Sequence, residues 1–143
     1  MSNIKSLEGV PDVLVGFMRE MNSWETEFFD LRKKALGQGG DDPELKNNYA
    51  KKLEFILDKY AVKDKSNYGR LIDVGCINPA TYDPETDEVK VLVSDDKNLT
   101  VQVQQVKGAE VSSRVYLVVK DGDWKIKKKE ILNFDDKWRR SPL

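Results

Sequence analysis

At 143 residues and 16.4 kDa the chain is sized for one domain, because two would each be too small to bury a useful core. Apolar residues at 39% and charged residues at 34% describe a soluble globular fold and exclude a disordered tail or a membrane protein. A net charge of −1 argues against nucleic acid as the main partner, since phosphate binding needs a clear excess of Lys and Arg.

Two absences narrow the chemistry. The chain has no histidine, which removes Ser-His-Asp and Cys-His nucleophilic schemes, His bases and His-containing metal sites. Its one cysteine, Cys76, permits neither an intrachain disulfide nor a Cys-based zinc site, and no metal or cofactor is expected. Cys76 reads as a structural buried thiol. No apolar run reaches the roughly 20 residues of a membrane span, and Met1–Gly9 does not read as a signal peptide. The expected compartment is the cytoplasm.

In chain order, Leu14, Phe17, Met18, Met21, Trp24, Phe28, Leu31 and Ala35 recur at steps of three and four, which predicts one long amphipathic helix over Pro11–Leu36. Pro11 suits its first turn, and Gly37, Gly39 and Gly40 end it. Asp41-Asp42-Pro43-Glu44 announces a second helix with a carboxylate cap. Leu45, Tyr49, Leu53, Ile56 and Tyr60 mark its face, and it should end near Val62. Tyr68–Val74 reads as either a short helix or a lead-in strand.

From Cys76 onward the period changes to two. Alternating residues predict strands over Glu88–Ser94, Leu99–Val106 and Val111–Lys120. Asp95–Asn98 and Asp121-Gly122 are the turns. A fourth strand follows, with Trp124, Ile126 and Lys128 alternating against Lys125, Lys127 and Lys129; those lysines read as a solvent-facing edge. Asp135–Leu143, including Trp138, reads as a polar tail. Helices followed by antiparallel strands predict an α+β domain: two to three helices packed on a curved antiparallel sheet of four or more strands. One domain over 1–143 is expected, with 1–9 and 135–143 as peripheral tails.

Candidate chemistry is sparse. Glu25, beside Trp24 at the edge of the apolar stripe, stands apart from the solvated charges of the first helix. Asp73, among Leu71, Ile72 and Val74, is a candidate for a carboxylate facing a cavity, with a tyrosine such as Tyr116 as its partner. The stretch Asp83–Asp96 carries Asp83, Glu85, Asp87, Glu88, Asp95 and Asp96, an acidic rim suited to a basic partner.

The order long helix, glycine break, second helix, antiparallel strands resembles the nuclear transport factor 2-like cone fold. The run Arg114–Ile126, turning at Asp121-Gly122 and returning through Trp124-Lys125-Ile126, looks like that superfamily's final hairpin. Phe17–Glu25, Phe28-Phe29 to Leu36, and Lys137-Trp138 to Leu143 are similar to the cone-fold immunity proteins of bacterial polymorphic toxin systems. That resemblance implies a cytoplasmic antidote that binds a cognate toxin C-terminal domain encoded nearby. It brings no catalytic residues. Tyr82, Trp138 and the acidic residues Asp83, Glu85, Asp87, Glu88, Asp95 and Asp96 are then the expected partner contacts, and a homodimer through the open sheet face is a further expectation. The superfamily's isomerases and cyclases supply the alternative: a small-molecule binder or enzyme using the cone cavity.

Overall fold

The three-and-four spacing winds as helix α1 (Asp12–Gly37) in a computed structural model that describes residues 9–40 and 42–143. Leu14, Phe17, Met18, Met21, Trp24 and Phe28 are buried along one face. Leu31 and Leu36 are exposed, so the last turns run past the core. Helix α2 (Pro43–Tyr60) starts at Asp42, whose Oδ1 accepts from the N–H groups of Glu44 and Leu45 at 3.1 and 3.2 Å. Asp41, the other carboxylate expected at this cap, lies outside the described residues, as do residues 1–8 of the expected N-terminal tail. α2 stops at Tyr60, short of Val62, because Ala61 turns extended and bridges to Ile126.

Aromatic residues join the two helices. Trp24 Nε1 donates to the Tyr49 carbonyl at 2.8 Å, and Phe28 stacks on Tyr49 with ring centroids 4.9 Å apart. At the other end Gly16 permits close approach: a Cβ there would lie 2.9 Å from the Tyr60 hydroxyl, which donates to Glu20. Tyr68–Val74 holds only a 3₁₀ turn at Gly69–Leu71.

Five antiparallel strands lie in chain order: β1 (Glu88–Ser94), β2 (Asn98–Gln104), β3 (Ser112–Lys120), β4 (Asp123–Leu132) and β5 (Trp138–Ser141). Val89, Leu99, Val101, Val103, Val115, Leu117 and Ile126 turn one face to the helices and complete the core. Asp121 and Gly122 both take positive φ, 54° and 84°, as a two-residue hairpin requires.

A bulge reverses half of β4. Tyr116 pairs with Lys128 while Leu117 pairs with Ile126, so Lys127 is the extra residue. The expected alternation therefore fails beyond Ile126: Lys129 points into the core face and Lys128 points out. Asn67, fully buried, secures the bulge. Its Nδ2 donates to the carbonyls of Lys127 and Val62, each at 2.9 Å, and its Oδ1 accepts from Arg140 at 3.3 Å.

Residues 135–143 are not a peripheral tail. Asp135–Lys137 turns the chain, Trp138–Ser141 pairs with β4, and Leu143 is buried among the core residues. A segment that looks polar in sequence pairs its backbone with β4, its arginines with Asp135 and Asp64, and buries its last side chain in the core. Leu143→Ala should therefore cost about 2–4 kcal/mol, read as a lower urea midpoint with unchanged slope. A loss under about 0.5 kcal/mol, the size of an ordinary surface substitution, would return these residues to the periphery.

Candidate functional site

Between α2 and β1 the chain crosses the open end of the sheet as a long loop, and Glu25 holds it. The Glu25 carboxylate is 1% exposed. Its Oε2 accepts from Arg70 at 3.1 Å and from the Ile77 N–H at 2.9 Å, while Oε1 accepts from the Thr81 N–H at 2.8 Å. The residue that sequence marked as unusual thus anchors the loop. Nearby, Asn22 Nδ2 donates to the Tyr82 carbonyl at 2.6 Å. Cys76 is half-buried against this loop, and burial pushes its thiol above the ordinary range.

Beneath the loop lies a cavity of about 200 Å³, walled by the face of the sheet that turns toward the helices. Tyr82, Asp87, Gln105, Ser113 and Lys129 line it together with Val103, Val111 and Ile131. Lys129, delivered by the bulge, donates from Nζ to the Tyr82 hydroxyl at 3.0 Å and lies 4.5 Å from the Tyr82 ring centroid. Tyr82 in turn packs edge-on against Phe17 at 5.2 Å. Asp87 Oδ2 accepts from the Asp83 N–H at 2.9 Å, whereas its Oδ1 is buried with no hydrogen-bond partner. Burial pushes the Asp87 carboxyl up to about 6; the Asp83 N–H and the charge of Lys129 oppose that shift, and the Asp83 carboxylate adds to it.

The expected contact residues do not form one patch. Tyr82 and Asp87 are 2% and 3% exposed and belong to the cavity, so neither presents a surface to a macromolecule. Asp83 is half-buried, and Glu85 and Glu88 are exposed beside it at the start of β1. Asp95 and Asp96 lie in the β1–β2 turn, where Asp95 Oδ1 accepts from the Lys97 and Asn98 N–H groups. A seven-residue strand separates the two acidic groups, roughly 20 Å. Trp138 is on the opposite edge strand, four strand spacings or roughly 19 Å from β1.

What Trp138 and Glu88 share is a face. Lys90, Gln102, Arg114, Glu130 and Arg140 form one transverse row on the side of the sheet away from the helices. Glu88 and Trp138 flank that row at its two edges. The Arg114 guanidinium sits over the Trp138 ring at 4.0 Å, and the Tyr116 hydroxyl donates to Glu130 at 2.6 Å. These residues make a polar-aromatic surface left open by the helices.

Comparison with known proteins decides between antidote and enzyme. Residues 9–142 match the profile of a family described as NTF2 fold immunity protein. The chain belongs to that family. It is also 30% identical over 128 residues to the immunity protein RhsIA of Dickeya dadantii (strain 3937), covering 88% of this chain and 90% of the relative. No solved structure gives a significant match.

Membership in this immunity family makes the role toxin-neutralising and non-enzymatic. The geometry disposes of the expected catalytic pair as well. Asp73 is not a buried carboxylate: it stands at the rim of an open pocket beside Arg70 and Cys76, its side chain is 92% exposed, and it pairs with Lys46 at 3.6 Å. Tyr116 is on the outer face of the sheet, bonded to Glu130, so the two never meet. The fold is the family's helix-and-sheet cone, and no described helix is long and apolar enough to cross a membrane. Sequence reasoning missed Lys129, Asn67 and Gln105 as interior polar residues. A strand bulge put Lys129 inside, and nothing local to Trp124–Lys129 signals one.

Proposed function

We propose that this protein neutralises a cognate toxin C-terminal domain, encoded beside it, by docking the outer face of its sheet on that domain. The family match over residues 9–142 carries the reading. Trp138, Arg114 and Tyr116 supply the aromatic and guanidinium anchors that dominate protein interfaces, and Glu88 is the acidic margin of the same face, with Glu85 exposed in the turn before it. Asp83, Asp95 and Asp96 extend the acidic field without reaching the anchors. The face spans roughly 20 Å each way, about half of one side of a standard interface, so the loops at its margins complete the contact.

Co-expression with the adjacent toxin domain tests this. Growth should be rescued, and a stoichiometric complex should co-purify. Trp138→Ala should weaken the complex by about 2 kcal/mol or more through dissociation, while Glu85→Lys with Glu88→Lys should slow association and flatten its salt dependence. Asp95→Lys with Asp96→Lys, at the far end of β1, should change affinity least. Toxicity without rescue would overturn the antidote reading; rescue insensitive to Trp138 and Glu88 would overturn the docking face alone. The same face is the one expected to pair two copies, so a free homodimer should dissociate on toxin addition.

A further inference from the structure

The cavity under the loop contains two opposite charges that the protein does not pair with each other. Lys129 is 5% exposed and has one hydrogen bond, to Tyr82; among the described residues no carboxylate lies within ion-pair distance of it. Asp87 spends Oδ2 on the Asp83 N–H and leaves Oδ1 buried, lining the same cavity, without a partner. Burying an ammonium and a carboxylate apart is costly, because each gives up hydration and the weak attraction of Lys129 for Asp87 does not repay it. The remaining walls divide cleanly: Gln105 and Ser113 add polar groups, while Val103, Val111 and Ile131 supply an apolar surface. About 200 Å³ is room for a molecule with a short branched hydrocarbon side chain.

We propose that this cavity binds a small zwitterion of the α-amino-acid class, its carboxylate held by Lys129 and its ammonium by Asp87. Water fills hydrogen-bond valences but brings no compensating charge, whereas a zwitterion neutralises both groups at once. A simple anion would leave Asp87 unpaired, and a simple amine would leave Lys129 unpaired. The apolar walls then favour an aliphatic side chain over a polar one. This site is separate from the docking face: it lies on the helix-facing side of the sheet, and none of Trp138, Arg114 and Glu88 lines it.

The test uses the purified protein alone, followed by thermal unfolding near neutral pH. Glycine and L-alanine, L-serine, L-valine and L-leucine are each titrated to about 10 mM, alongside isovalerate and isobutylamine, which keep the hydrocarbon of valine but carry only one charge. A saturable rise in melting temperature with L-valine or L-leucine, larger than with either singly charged analogue, is the expected result. Asp87→Asn and, separately, Lys129→Gln should each weaken that binding by about 10- to 100-fold while remaining folded by far-ultraviolet circular dichroism. No shift with any of the five amino acids would overturn the proposal. So would an equal shift with isovalerate or isobutylamine, or undiminished binding by both variants. Toxin rescue is scored separately, so failure here leaves the antidote reading standing.

Discussion

Replacing Glu25 with alanine should cost about 3–5 kcal/mol of folding stability, the largest single effect expected in this protein. Three donors converge on that carboxylate: the Arg70 guanidinium, the Ile77 N–H and the Thr81 N–H. Removal leaves both amides without an acceptor and Arg70 with only a long bond to the Gly75 carbonyl, in a site where Glu25 is almost completely excluded from solvent. Arg70 is already stretched, since its Nη1 is buried without a partner and its other contacts are the Gly75 carbonyl at 3.4 Å and the Trp24 ring at 5.1 Å. Against the roughly 5–15 kcal/mol that stabilises a typical domain, such a loss threatens folding at physiological temperature. Urea unfolding measures it. Adding Arg70→Met to Glu25→Ala should restore part of the stability, because the second change removes the stranded cation. A Glu25→Ala loss below about 1 kcal/mol would mean that the loop is held by other contacts. Hydrogen exchange at the Ile77 and Thr81 amides should accelerate in the same variant.

The second large effect has the opposite sign and depends on pH. Asp87→Asn should stabilise the protein above about pH 6, by as much as about 3 kcal/mol, if the folded carboxyl titrates at about 6 rather than near the ordinary 3.8. The folded state then holds a proton that the unfolded chain has released, so wild-type stability falls as pH rises between about 4 and 6. Below that window the carboxyl is protonated in both states and contributes no difference. Above it the charged carboxylate stays in a buried site and the full penalty applies. Asparagine keeps an oxygen for the Asp83 N–H and carries no charge. The gap between variant and wild type should therefore open from about pH 4 to pH 6 and then stay constant. Taking the difference cancels the titration of the other carboxylates. A gap independent of pH would show that Asp87 is not perturbed, and a less stable variant at pH 8 would show that its charge is well compensated, by the Asp83 N–H first and Lys129 after it.

Much of the fold was legible in local patterns. The apolar positions from Leu14 to Phe28 are buried as their spacing requires, Asp42 caps α2, and Asp121-Gly122 turns the hairpin. Each of these depends on residues within one or two turns of each other. The candidate site was legible only in part. Glu25 stood out because a carboxylate beside Trp24 on an apolar stripe demands partners, yet those partners, Arg70, Ile77 and Thr81, lie 45 to 56 residues away. Asp83, Glu85, Asp87, Glu88, Asp95 and Asp96 read as one rim from their closeness in sequence, but Asp87 is buried. An extended strand carries neighbours in sequence apart, so β1 puts the two groups at its opposite ends.

Trp138 and Leu143 show the same boundary from the other side. As sequence they close a charged segment too short to display a strand period. Pairing with β4 and burial of the final leucine give that segment its structure, and both partners come from elsewhere in the fold. The two helices, the first four strands with their turns, the order of those elements and the immunity-family signature were determined by the sequence itself, since side-chain period and backbone preference act over a few residues. Only the tertiary structure decided that Lys129 turns inward, that Asp87 is buried without a partner for one oxygen, and that Asn67 holds the bulge. A one-residue bulge reverses every side chain beyond it, and its cost is met by contacts such as Asn67 to Lys127 that lie 60 residues apart.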